Sequence, residues 1–132
     1  IQLTSGLSNR LRTIVGFLYI AKKTNHKVIF YWNSDTACNG NFTDIFEPIE
    51  KNRLYEIKNG LPPKNVKLLF KGQSTILSII KVFTPDFYDL NYKDRKGNLA
   101  LLEDIENTYY PLFKPRKTII DKVNKNMGVY FH

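Results

Sequence analysis

The chain has 132 residues, 42% of them hydrophobic and 14% aromatic, which allows one domain with a real core and is small for an enzyme of two full lobes. Twenty Lys and Arg against twelve Asp and Glu leave a formal charge of +8, which favours anionic partners by long-range steering: nucleotide sugars, phosphorylated glycans, nucleic acid or an acidic membrane. The single cysteine, Cys38, excludes an internal disulfide and a cysteine-based zinc site, and no apolar run reaches the length of a membrane span.

Ile1 to Thr4 is short and rich in strand formers, and Ser5-Gly6 is turn chemistry, with Gly6 free to take positive φ or to admit a ligand close to the backbone. Ser8 and Asn9 are good N-cap residues. Leu7, Leu11, Ile14, Val15, Leu18 and Ala21 then fall on one face of a helix, and Arg10, Thr13 and Lys23 are assigned to the other. Val28 to Trp32 follows as a second strand, so the first 32 residues make a strand–loop–helix–strand unit of an α/β fold. Arg10 and Arg12 sit in the first turn of the helix, where a cation opposes the macrodipole by about a few tenths of a kcal/mol. Either an anion is held there by free backbone N–H groups and a guanidinium, or the two arginines are solvated or paired with carboxylates elsewhere.

Asn33 to Asn41 is polar and reads as a loop at the C-terminal edge of the sheet, the edge at which open α/β sheets bind ligands. Asp35 is then either a crevice residue, holding a sugar hydroxyl or Arg10, or a turn residue capping its own backbone. Phe42 to Phe46 reads as a helical turn that buries Phe42, Ile45 and Phe46 as a lid on the sheet and ends at Pro48. Two short strands are expected at Arg53 to Ile57 and Val66 to Phe70, and a helix over Ser74 to Phe83, ending before Thr84-Pro85. Pro85 to Gly97 reads as a loop whose tyrosines and basic residues suit single-stranded nucleic acid or a sugar, or form a solvated turn. Asp104 and Glu106 are a weak metal signal, because residues two apart on a helix point away from each other. Pro115 to Asn126 is helical in pattern, Gly128 ends it, and Val129 to His132 starts a further strand. The formal sequon Asn41-Phe42-Thr43 is of a kind that arises easily by chance.

Gly6-Leu7-Ser8-Asn9-Arg10-Leu11-Arg12 resembles the N-terminal motif G-L-G-N-R-L-R of the fucosyltransferase-like glycosyltransferases, a superfamily that includes α-1,2, α-1,6 and protein O-fucosyltransferases. Ser8 departs from the motif, standing where the family usually has glycine. The segment with Trp32, Asp35, Cys38, Phe42, Asp44 and Phe46 is similar to the family's W-x-x-D-x-x-C-x-x-x-F-x-D-L-F. Tyr110-x-Leu112-Phe113-x-Pro115, a helix and then Gly128 to His132 resemble the approach to the family's H-x-R-R-x-D motif, with His132 as its histidine. The likeness covers both ends and hardly touches residues 51–104.

The resemblance implies a Rossmann-like open, mainly parallel sheet with flanking helices, the N-terminal lobe of a GT-B type glycosyltransferase. Residues 1–128 would form that lobe and 129–132 the first strand of a nucleotide-binding lobe beyond it, so the chain would be a fragment, inactive alone. It implies inverting transfer of fucose from GDP-fucose to a glycan or protein acceptor without a metal. Gly6, Leu7, Ser8, Asn9, Arg10 and His132 would face the donor, and Arg12 and Asp35 the crevice or the acceptor; no residue is assigned as base. The other reading is a non-catalytic basic domain that binds a phosphorylated ligand or nucleic acid, or an interaction module. The compartment stays open, cytoplasmic for a bacterial or viral source and the Golgi or ER lumen for a eukaryotic one.

Overall fold

Val28-Ile29-Phe30-Tyr31-Trp32 is a run of β-branched and aromatic residues, and it forms the central strand β2 (Val28–Trp32). The computed structural model describes residues 1–49, 54–83 and 95–122. In it β2 pairs with β1 (Gln2–Leu3) and β3 (Tyr55–Asn59), while β4 (Lys71–Gly72) takes the far side of β1. The order is β3-β2-β1-β4 and every pairing is parallel, so the fold is the open α/β sheet with flanking helices that the pattern predicts.

Helix α1 (Leu7–Thr24) carries the chain from β1 back to β2. Strand residues alternate between faces: Leu3, Phe30, Trp32 and Tyr55 are buried in the same core as Ile14, Val15, Phe17 and Leu18 of α1, whereas Glu56 and Lys58 of β3 are exposed. Two further helices, α3 (Ile76–Phe83) and α4 (Arg95–Tyr109), pack on α1 and on each other. Gly16 lets α1 and α3 approach closely, since a Cβ there would lie 3.0 Å from Ile79 Cδ1 and 3.3 Å from Ile79 Cβ.

Because neighbours clad α1 on more than its sheet side, two residues assigned to the solvent face are in fact fully buried: Arg10 and Thr13 are both 0% exposed. Leu7, placed on the apolar stripe, is 37% exposed, because the helix projects at its first residue. The helix also begins earlier than the caps at Ser8 and Asn9 suggest, with Gly6 at the N-cap position.

Helix α2 (Phe42–Ile45) is the expected lid, closed by a capping box in which the Asn41 and Asp44 side chains each meet the other's backbone N–H. Phe42 and Phe46 are buried, with Trp32 and Phe113 stacked around Phe42 at ring distances of 5.4 and 6.2 Å. The strand expected at Arg53 to Ile57 lies slightly later, at Tyr55–Asn59. No strand forms over Val66 to Phe70. Residues 60–70 instead run from one edge of the sheet to the other without a helix, and pairing to β1 begins at the Phe70 carbonyl, which accepts from Gln2 N at 2.9 Å. Crossing the surface leaves Leu61 63% and Leu69 70% exposed, while Phe70 turns in against Phe17 and Phe83.

Helix α4 takes in Arg95 to Gly97, the end of the loop expected over Pro85 to Gly97; Pro85 to Asp94 lies outside the described residues. The chain then makes a 3-10 turn at Tyr110–Leu112 and a helix over 117–122, within the helix expected over Pro115 to Asn126. The rest of that helix, the strand Val129 to His132 and the lobe boundary at residue 128 lie outside the described residues. No helix among the described residues is long and apolar enough to cross a membrane.

Candidate active-site crevice

In a parallel sheet the loops after β1 and β2 leave from the same edge, so the Ser5-Gly6 turn and the segment 33–41 are neighbours. Positive φ falls on Ser5, at 71°, rather than on Gly6, which is extended at φ −76° and ψ 176°. A Cβ on Gly6 would meet only the Ala37 carbonyl, at 3.8 Å, so neither conformation nor crowding demands glycine here. What glycine does is leave the helix start without a side-chain cap, so the first N–H groups of α1 receive no side-chain oxygen from the N-cap position.

Arg10 turns inward and joins the two loops. Its Nε donates to the Ser5 carbonyl at 2.8 Å, one terminal nitrogen to the Asn33 carbonyl at 2.7 Å and the other to Asp35 Oδ2 at 3.0 Å. The guanidinium also lies over the Trp32 ring, 5.2 Å from its centroid, and Trp32 Nε1 is itself anchored on the Gly40 carbonyl at 2.9 Å. Asp35 meets both of the expectations set for it. Its Oδ2 takes Arg10, while its Oδ1 caps its own turn, accepting from the N–H groups of Ala37 and Cys38 at 3.0 Å each. The Cys38 N–H chiefly, with the Arg10 charge and the Ala37 N–H, holds the Asp35 carboxyl below the ordinary carboxylate range, against partial desolvation that pushes it up.

Of the residues singled out at this loop, Leu7, Ser8 and Arg12 are exposed and Asn9 is half-buried. Asn9 Nδ2 donates to Ser5 Oγ at 2.8 Å, its Oδ1 accepts from Arg12, and its carbonyl accepts from Thr13 Oγ1 at 2.8 Å. Gly6, Ser8, Asn9, Arg10, Arg12 and Asp35 thus belong to one neighbourhood, but Arg10 faces protein acceptors and only Arg12 presents a guanidinium outward. His132 lies outside the described residues. Asp104 is exposed and Glu106 half-buried on α4, and among the described residues no three His, Cys, Asp or Glu side chains cluster as metal ligands would.

Trp32 and Tyr110 are not among the site residues expected from the sequence. Trp32 is the floor on which Arg10 rests, and Tyr110, in the turn after α4, is half-buried. Burial raises the Tyr110 hydroxyl above the ordinary phenol range, the Glu106 charge raises it further and the Arg12 charge lowers it.

The chain matches no protein-family model, no curated protein and no solved structure.

Proposed function

We propose that the chain is the N-terminal lobe of a fucosyltransferase-like glycosyltransferase of GT-B architecture. It would transfer fucose from GDP-fucose, with inversion and without a metal, to a glycan or protein acceptor. One observation carries the reading: a parallel strand–loop–helix–strand unit brings the Gly6-to-Arg12 motif and Asp35 together at the C-terminal edge of the sheet, fastened by the Arg10–Asp35 contact.

Breaking the bond from sugar to diphosphate puts negative charge on the leaving group and positive charge on the sugar. In this lobe the open first turn of α1 at Leu7, Ser8 and Asn9 would offer N–H groups to an anion, with Arg12 as the nearest outward cation. Arg10 would act at one remove, as a positioning residue that fixes the loop carrying those groups. His132 and the second lobe would supply the remaining diphosphate contacts.

The test is calorimetric titration of GDP-fucose, GDP-mannose, UDP-glucose and ATP, with EDTA present, against the complete protein and the 132-residue chain. Selective binding of GDP-fucose by the complete protein, and none by the chain alone, is the expected result. If the complete protein binds no nucleotide sugar, the reading is wrong, and salt-dependent binding to arbitrary oligonucleotides would favour a basic binding module instead.

A further inference from the structure

At the N-terminal edge of the sheet, the end opposite Arg10 and Asp35, an open apolar groove of about 360 Å³ lies between the last turns of α1, the start of β2 and the end of α3. Phe17, Ile20, Val28, Leu69 and Phe83 give it apolar walls, with the Phe17 and Phe83 rings packed on each other at 5.1 Å. Thr24, His26 and Lys27 make up its polar part. Leu69 is 70% exposed although it lines the groove, and Val82, next in the chain to Phe83, is 68% exposed. Aliphatic side chains left this open beside an apolar groove mark a surface of contact with something else.

The charge beside the groove has one sign. Lys22, Lys23, Lys27, Lys67, Lys71 and Lys81 each lie within two positions of a lining residue and are exposed, and no Asp or Glu lies so near one in the chain. The spans 1–34 and 61–83, which supply all the lining residues, hold Arg10, Arg12 and seven lysines but none of the twelve Asp and Glu. Among the described residues Glu56 reaches this set from β3, with its Oε2 3.7 Å from Lys27 Nζ. That contact joins two half-exposed side chains and is weakened by water.

A second copy docked face to face would set these lysines against their own duplicates, which repel. A nucleic acid would use the lysines and leave Ile20, Val28 and Leu69 without a partner. An anionic bilayer uses both, since its headgroups meet the lysines and its acyl chains meet the apolar walls.

We propose that this end of the molecule docks on an anionic membrane surface, with Leu69 and the groove against lipid chains and the lysines against headgroups. The Arg10 loops lie at the other end of α1, 18 residues and roughly 27 Å away, so docking leaves them open. The inference stands apart from the glycosyltransferase reading.

The test is sedimentation of the complete protein with vesicles of phosphatidylcholine and phosphatidylserine, and with vesicles of phosphatidylcholine alone, at about 0.1 M salt. The protein should sediment with the first and not with the second. Lys23→Gln, Lys67→Gln and Lys71→Gln combined should weaken binding about a hundredfold, and Leu69→Ser with Val82→Ser about tenfold. Every replaced side chain is exposed, so circular dichroism and thermal melts should match wild type. Sedimentation with neither vesicle, or equally with both, overturns the proposal, as does full binding by the lysine variant. Loss in the lysine variant with no change in the Leu69 and Val82 variant also overturns it, because the contact is then one of charge alone. Preference for arbitrary oligonucleotides over anionic vesicles, lost in the lysine variant, would make this a nucleic-acid surface instead. A dimer that the Leu69 and Val82 variant dissociates would assign the face to a second copy and remove the membrane.

Discussion

Arg10 and Asp35 meet at 3.0 Å although 25 residues of sequence separate them, and the guanidinium that makes the contact has no exposed surface while the carboxylate side chain is 40% exposed. The asymmetry tells what the pair is for. A charge sealed from water is stable only if its donors are used, and Arg10 uses them on two backbone carbonyls and one carboxylate drawn from two different loops. The pair therefore fixes the shape of the crevice edge, and a ligand that entered the crevice would meet a preformed loop.

Arg10→Ala strands the Ser5 and Asn33 carbonyls and the Asp35 carboxylate and opens a hole over Trp32. It should destabilise the domain by about 2–4 kcal/mol, measured by urea denaturation at neutral pH. Arg10→Lys keeps the charge but has no fork to reach three acceptors, so it should recover less than half of the loss. Full recovery by lysine would mean that charge alone, not the fork, holds the loops.

The pH dependence comes from the sign of the Asp35 shift. Its folded pKa lies below the ordinary value, so the carboxylate contributes stability that is fully present above that ordinary value and disappears as pH falls through the folded pKa. The stability difference between wild type and Asp35→Asn should thus be constant from neutral pH down to about pH 5, then shrink toward pH 3. A difference that stays constant through acid pH would show that Asp35 acts by shape rather than by charge.

Ser5 sets two small effects against each other. Its left-handed φ of 71° costs a non-glycine residue about 1 kcal/mol, while the bond its Oγ accepts from Asn9 returns a similar amount. Ser5→Gly should therefore leave stability within about 0.5 kcal/mol of wild type. Ser5→Ala keeps the strain and loses the bond, and should fall about 1 kcal/mol lower; thermal melts of both variants separate the two terms.

Much of the framework was legible in the sequence, because periodicity reports burial directly: β2, the sheet-facing residues of α1 from Ile14 to Ala21, the Phe42 lid and α3 all lie where spacing placed them. Arg10 departs from its expected face for a physical reason. It lies four residues before Ile14 and seven before Phe17, on the inward stripe by angle, and only its charge argues for a place in solvent. An arginine is buried when tertiary partners supply acceptors, and those partners sit in a loop whose path the sequence does not reveal. The strand expected at Val66 to Phe70 failed for a related cause: a run of β-formers marks capacity to pair, but the register at β1 selects Lys71–Gly72.

Gly16 offers a test in which magnitude decides the sign. Alanine in a helix interior is favoured over glycine by about 1 kcal/mol, which alone would make Gly16→Ala stabilising. Here the added methyl would stand 3.0 Å from Ile79 Cδ1 and 3.3 Å from its Cβ, and such crowding in a packed core costs about 1–3 kcal/mol. The Cδ1 end can swing aside but the Cβ cannot, so the net effect should be a loss of about 1 kcal/mol. Shortening the neighbour to alanine removes Cδ1 and Cγ2, two of the three crowding atoms, and Gly16→Ala made in an Ile79→Ala background should then stabilise. A double-mutant cycle with a coupling of about 1–2 kcal/mol would establish that α1 and α3 meet at this point. Additivity of the two substitutions would mean that the helices do not close on each other at Gly16.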